Sequence, residues 1–279
     1  MIYNELLQRG TTDFPMELYQ VDKNHPRYEM EAHWHSEIEL MRVISGKLTV
    51  KLNNNKYTAH PGDVVFVNSE TVHSASPEDA VYDCIVMHLH YLNANDEGCR
   101  FFIENLLSQE YRIKEYSPAG DNKFNNAINF IFDSLRDKPP GYKFSVIGAM
   151  YSLFGVVLDE GIYSARAGHS PADEKSVVKL KNVLTYMREN YDKQLSLEDM
   201  AKSAGMSPKY FCLFFRNMTG KTPLEYLNGY RVEKASKELI KTYKTVTEIA
   251  YACGFNDLSY FIKTFKKHKG VTPAKFRKR

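Results

Sequence analysis

Hydrophobic positions change their spacing part-way along this chain of 279 residues. From about Glu17 to Leu92 they alternate with polar ones. The run Leu40 to Val67, LMRVISGKLTVKLNNNKYTAHPGDVVFV, is rich in β-branched residues, and turn signals stand at Ser45-Gly46, Asn53-Asn54-Asn55 and Pro61-Gly62. Short strands at regular spacing predict an all-β sandwich or barrel. After Leu92 the spacing becomes helical. Phe101 to Leu107 and Phe124 to Leu135 are amphipathic, and Phe144 to Leu158 is more apolar throughout. A small, polar, breaker-rich stretch follows from Ser164 to Asp173, and the domain boundary is expected there. That divides the chain into residues 1–165, a linker over 166–174, and a second domain over 175–279, opened by a helix from about Lys175 to Asn190.

The second domain says the same thing twice. Ala201 and Gly205 match Ala250 and Gly254 at an offset of 49, while Tyr210-Phe211, Phe215, Gly220 and Thr222-Pro223 match Tyr260-Phe261, Phe265, Gly270 and Thr272-Pro273 at an offset of 50. Each copy predicts a short helix, a glycine able to take positive φ, and a second helix. Ser207 is expected to cap the second helix of copy one, with Pro208 at its first position. Asn256 and Asp257 are expected to cap that of copy two. Helical spacing turns Phe211, Phe214, Phe215 and Met218 inward in copy one, and Phe261, Thr264, Phe265 and His268 in copy two. It leaves Lys209, Cys212, Leu213 and Arg216 outward in the first, and Ser259, Ile262, Lys263 and Lys266 in the second. A lone copy reads equally well as an αα-hairpin in an ordinary core.

Duplication favours DNA, and so does charge. Residues 175–279 hold 22 Lys and Arg against 9 Asp and Glu, a net +13, while the rest of the chain is net −10; the overall +3 conceals this split. A basic domain is drawn to the phosphate backbone, and an acidic one stays off it.

On these residues the C-terminal third resembles the DNA-binding domain of the AraC/XylS family of bacterial transcriptional regulators. The resemblance implies two helix–turn–helix units joined by one long helix, here Pro223 to about Lys241, with both recognition helices entering successive major grooves about 34 Å apart. It also implies a DNA surface made by Ser207, Lys209, Tyr210, Cys212, Leu213 and Arg216 from copy one, and Asn256, Asp257, Ser259, Tyr260, Lys263 and Lys266 from copy two.

In the first domain, the spacing of His33, His35, Glu39 and Gly46 resembles the first motif of the cupins, and Pro61-Gly62-Asp63 followed by His73 resembles the second. The implied fold is a small cupin-type jelly roll with appended helices, the usual sensor of AraC-type regulators; those helices are implied to close the barrel and supply a dimer interface. At even spacing, an unbroken strand would point His33, His35 and Glu39 to one face. With His73 they can bind one divalent metal, such as zinc, iron, manganese or nickel. They can equally line a pocket for a polar effector, or only satisfy one another. His88, alternating with His90 on a predicted strand, is a weaker effector-site candidate. Trp34 should fall on the opposite face, and His25, His60 and His169 read as surface or loop residues.

Cys84, Cys99, Cys212 and Cys253 show no CxxC spacing and are scattered over both halves, which fits reduced thiols in a cytoplasm. Asn4, Glu5, Gln8 and Arg9 interrupt any N-terminal signal sequence, and no apolar run is expected to span a membrane. The resulting expectation is a ligand-responsive, sequence-specific DNA-binding transcriptional regulator. It would be a cytoplasmic homodimer that activates a metabolic operon through RNA polymerase, with a sugar-like effector. Two rivals use the same histidines: a cupin metalloenzyme with a DNA-binding tail, and a metal-responsive regulator.

Overall fold

The computed structural model describes residues 10–11, 13–25, 27–92, 96–120, 122–165 and 171–277. The chain divides into two compact units, one running up to Glu174 and the other from Lys175. Residues 166–170, within the stretch read as a linker, and His169 with them, lie outside the described residues.

The first unit is built on a seven-stranded sheet. Its strands are β1 (Met16–Val21), β2 (Met30–His33), β3 (Ile38–Leu52), β4 (Asn55–Ala59), β5 (Val64–Val67), β6 (His73–Met87) and, after a 3-10 turn at Leu89–Tyr91, the short β8 (Tyr116–Ser117). The long strands β3 and β6 pair antiparallel along most of their length. Each also pairs with two shorter strands, β3 with β5 and β4, and β6 with β1 and β2. Side-chain alternation on β3 sends Ile38 and Leu40 to one face and Glu39, Met41 and Val43 to the other, and both faces are buried.

One face packs under three helices, α1 (Glu97–Leu107), α2 (Lys123–Asp137) and α3 (Tyr142–Asp159). Arg42 fastens α2 to this face: its guanidinium donates to Asp83 at 2.9 Å and Asp133 at 3.0 Å, and lies 4.6 Å from the centre of the Phe132 ring. The other face lines the interior with Val21, Met41, Val50, Val65, Tyr82 and Val86. Asn122 caps α2, and Asp96 caps α1.

Several sequence expectations change. Ser45-Gly46 is no turn. It lies within β3 as a bulge opposite Asp79, where the register shifts twice and Gly46 takes φ +72 with no room for a Cβ, which would stand 2.3 Å from the Asp79 carbonyl. A bulge bends a strand without ending its pairing, so two predicted strands merge into one. His33, His35 and Glu39 do not share an unbroken strand: β2 stops at His33 and β3 starts at Ile38. His88 and His90 lie beyond the end of β6, in and before the 3-10 turn. Ser164 and Ala165 belong to β9 (Tyr163–Ala165), paired with β7 (Tyr111–Ile113), because two short edge strands carry little periodic signal. Finally, α3 is long and apolar enough, by length and composition, to cross a membrane, contrary to expectation. Its Val146, Met150, Leu153, Phe154 and Val157 are buried in the core of this unit.

The second unit is all-helical: α4 (Pro171–Glu189), which opens four residues earlier than expected, then α5 (Leu197–Ser203), α6 (Pro208–Thr219), α7 (Pro223–Lys241), α8 (Val246–Ala252), α9 (Leu258–Lys269) and α10 (Pro273–Arg277). Capping boxes at Ser196/Asp199, Thr222/Glu225 and Thr245/Glu248 start α5, α7 and α8 by satisfying backbone N–H groups that have no partner within the helix. Each box holds its acid below the usual carboxylate range through hydrogen bonds from the capping Ser or Thr. Gly220 and Gly270, both left-handed, end α6 and α9. The core of the second helix–turn–helix runs from Val232 and Leu239 on α7 through Ile249 to Phe261 and Phe265.

Candidate nucleic-acid interface and effector site

Two helices present the candidate DNA surface. On α6, Phe211, Phe214, Phe215 and Met218 are buried, as their spacing predicted, and Phe215 packs edge-on against Tyr226 of α7 at 5.2 Å. The opposite face exposes Lys209, Tyr210, Leu213 and Arg216, with Cys212 half-buried at its edge. On α9, Phe261, Thr264 and Phe265 are buried, and Ser259, Lys263 and Lys266 are exposed. His268 departs from expectation: it is exposed, because the core ends a turn earlier at Phe265. Lys267 extends the basic face beyond the residues the spacing singled out.

The helix starts differ from the simple pattern. Ser207 stands at the N-cap of α6, but its side chain makes no capping hydrogen bond. Asp257 caps α9, accepting from the Tyr260 N–H at 2.5 Å. Asn256 is not a cap: its side-chain oxygen accepts from Gln194. The Tyr260 hydroxyl accepts from Asn228 of α7 at 2.8 Å.

A second constellation is buried inside the first unit. His33, His35, Glu39 and His73 are each at most 5% exposed, and their ligating atoms all lie within 4.8 Å of one another. Three strand ends bring them together: His33 ends β2, Glu39 is the second residue of β3, and His73 opens β6. His35 sits in the connection between β2 and β3, just before a bend at Ser36-Glu37. Each imidazole is oriented by the main chain. The Nδ1–H groups donate to the carbonyls of Glu31 (2.8 Å), Glu37 (3.1 Å) and Thr71 (2.8 Å), for His33, His35 and His73 respectively. A carbonyl only accepts, so each Nδ1 carries a proton and Nε2 is left to face the centre.

There, Glu39 Oε2 lies 3.2 Å from His35 Nε2 and 3.1 Å from His73 Nε2, and the Cys84 thiol donates to Oε1 at 2.5 Å. Burial alone raises the Glu39 carboxyl, but the hydrogen bonds from His35 and His73 hold it well below the usual carboxylate range. Burial, then the neighbouring His73 and His35, hold His33 well below the usual imidazole value. Two imidazole nitrogens and a carboxylate oxygen at this separation require bound protons or a cation between them. The donor set suits a divalent ion. His88 stands outside the set, half-exposed, with Nε2 3.5 Å from Glu37. Trp34 is buried.

Two family models match the chain: an AraC-like ligand binding domain over residues 16–96 and a helix-turn-helix domain over residues 200–279. Together the two spans make up more than half of the sequence. The chain belongs to the AraC/XylS family of transcriptional regulators. This AraC-family regulator is 26% identical to the uncharacterized HTH-type transcriptional regulator YdeC of Bacillus subtilis, over 98% of its own length and 95% of that protein's. It is 21% identical to the melibiose operon regulatory protein of Escherichia coli, over 96% and 92%. Among solved structures, the DNA-binding domain of AdpA in complex with a target DNA is 32% identical, with a TM-score of 0.35, covering 36% of this chain and 90% of that one.

The regulator is thus a ligand-responsive DNA-binding protein. Of its twelve expected DNA-facing residues, Asn256, Asp257 and Tyr260 spend side-chain atoms on internal hydrogen bonds. Missed from sequence were two buried polar residues on α7: Asn228, which donates to the Tyr260 hydroxyl, and Arg231, which donates to the carbonyls of Tyr191 and Lys193. Helical spacing sets both on the buried stripe of Leu227, Val232 and Ala235, but it does not name their partners.

Proposed function

We propose that this regulator activates a metabolic operon by placing α6 and α9 in successive major grooves and recruiting RNA polymerase, under control of an effector bound in the N-terminal unit. The observation that carries this is the pair of helices, fifty residues apart, that bury one aromatic face each and expose Lys209 and Arg216 on one and Lys263 and Lys266 on the other. Lysine and arginine reach guanine edges or phosphates, and Leu213 can meet a thymine methyl. Selection of binding sites from a randomised DNA pool, followed by footprinting, should yield two protected segments about one helical turn apart. A single protected segment would contradict the two-helix reading.

The melibiose relative supports a sugar-like effector. A thermal-shift screen of sugars tests it, since a ligand that binds only the folded state raises the melting temperature. The family resemblance supports a cytoplasmic homodimer formed through α2 and α3. The dimer is also supported by the outer face of that helix pair, where Phe130 and Phe144 are exposed around a cavity of about 360 Å³. Phe144→Glu should shift the protein to monomer in sedimentation.

A second reading, a metal-responsive regulator, is favoured by the histidine cluster. His33, His35, Glu39 and His73 would hold the ion, and a divalent cation would take the place of the protons that His35 and His73 share with Glu39. The buried donors leave room for an ion more readily than for a sugar ring. Metal analysis of protein purified with and without chelator tests it. Protein free of stoichiometric metal, with no melting shift on adding zinc, manganese, nickel or iron(II), would remove this reading. The family supports a ligand-binding domain here over a cupin enzyme.

A further inference from the structure

The two helix–turn–helix units are joined by more than α7. The loop between α4 and α5 runs against the turn of the second unit, and Arg231 sits at the junction. This side chain is 7% exposed. Its Nε–H donates to the Tyr191 carbonyl at 2.8 Å and its Nη2–H to the Lys193 carbonyl at 2.7 Å. Its guanidinium lies 5.8 Å from the centre of the Phe255 ring, in the second unit's turn. Beside it Gly254 takes φ +82 and leaves no space: a Cβ there would stand 2.3 Å from the Tyr191 carbonyl and 2.9 Å from two guanidinium nitrogens.

Further contacts cross the same junction. Gln194, in the α4–α5 loop, donates to Asn256 in the turn. Tyr191 packs edge-on against Tyr230 of α7 at 5.1 Å, with Lys234 over both rings. Three residues before Arg231 on α7, one helical turn away, Asn228 donates to the Tyr260 hydroxyl on α9. The first recognition helix meets the same α7 through Phe215 and Tyr226. One helix therefore carries the seat of α6 at its start and, a turn later, the residues that hold α9 and its turn.

We propose that Arg231 is a positioning residue for DNA recognition: by tying the α4–α5 loop to the turn that presents α9, it holds the second recognition helix at one separation from the first, so the protein selects DNA by the spacing between its two contacted segments. The proposal rests on the reading that both α6 and α9 contact DNA. A planar guanidinium donating in fixed directions to two carbonyls suits this task better than a lysine, which offers one flexible ammonium. A one-base-pair change moves the second segment by about 3.4 Å and rotates it by about a tenth of a turn. A rigid pair of helices cannot follow that; a loosened pair can.

The test uses the full-length chain and the duplex it selects from a randomised pool, with one base pair inserted or removed between the two protected segments. Wild type should lose about tenfold or more in affinity on either change, the scale of a lost base contact. Arg231→Lys and Gln194→Ala should bind the selected duplex more weakly yet lose only about threefold on the same changes. Gln194 is exposed, so its variant carries the test if Arg231→Lys fails to fold, as judged by circular dichroism. A variant that is weaker by one common factor on all three duplexes, or unchanged, overturns the positioning role and leaves Arg231 a stabilising residue. If wild type selects a site with a single contacted segment, the two-helix reading falls, and the proposal with it.

Discussion

The two helix–turn–helix units share a sequence grammar but not a structural setting. In the first, Gly205 turns the chain with φ +62, and a Cβ added there would meet nothing within 4 Å. In the second, Gly254 makes the same turn wedged between the Tyr191 carbonyl and the Arg231 guanidinium. Ser207 starts α6 without a side-chain cap, whereas Asp257 caps α9. The first unit shows a mixed outward face with Leu213 and Cys212; the second shows lysines. Duplication supplied two copies of one module. Packing against the α4–α5 loop anchors the second copy, and its outward face is also the more basic.

The strongest way to break this comparison is at the two glycines. Alanine in a left-handed conformation costs about 1–2 kcal/mol at either site. At Gly254 the crowding against backbone adds the cost of an overpacked site, about 1–3 kcal/mol more. Urea unfolding of Gly254→Ala and Gly205→Ala should therefore separate them clearly. Equal losses would show that the second turn is no more constrained than the first.

DNA binding offers the next contrast. Lys263→Ala on α9 should weaken binding to the selected duplex by ~1–3 kcal/mol if Lys263 reads a guanine, with relaxed preference at that position. Wild-type affinity and base preference across a substituted duplex panel would remove Lys263 from the reading surface.

The caps come third. Asp257→Ala should cost about 1 kcal/mol of stability by releasing the N–H groups at the start of α9. Ser207→Ala should stay within about 0.5 kcal/mol, as expected of a surface position whose hydroxyl makes no cap. If the serine variant loses as much as the aspartate variant, the asymmetry of the two starts is wrong.

The smallest effect concerns Leu213, 59% exposed on α6. Its apolar side chain cannot hydrogen-bond a base, but burying a thymine methyl contributes about 0.8 kcal/mol. Replacing single thymines of the first segment by uracil should reveal one position where wild type loses about that much and Leu213→Ala loses nothing. Parallel losses in both proteins at every position would leave α6 as a unit that grips the backbone alone.

Much of this molecule was legible in its residues. The period of the hydrophobic positions located α1, α2, α3 and the two-unit helical domain, because burying one face of a helix demands a repeat near 3.6. Repetition marked Phe211, Phe215, Phe261 and Phe265 as core, and charge separated a basic domain from an acidic one. The spacing of His33, His35, Glu39 and His73 named a cluster that the fold does assemble. No straight strand gathers them: the chain leaves β2 at His33, bends at Ser36-Glu37 and enters β3 at Ile38. Tertiary structure alone decided the rest. Whether Ser45-Gly46 ends a strand or bulges it depends on Asp79 across the sheet. His268 is exposed because the buried face of α9 ends at Phe265, where Phe276 of α10 takes over the packing, and Asn256 is taken from its helix by Gln194, 62 residues earlier in the chain. Arg231 looks like one more charge on an amphipathic helix until the carbonyls of Tyr191 and Lys193 close around it. Local pattern is set by the periodic geometry of helix and strand, which any short stretch carries in itself. The partners of a buried polar group are set by chain segments far away in sequence, and only the folded molecule brings them within hydrogen-bond reach.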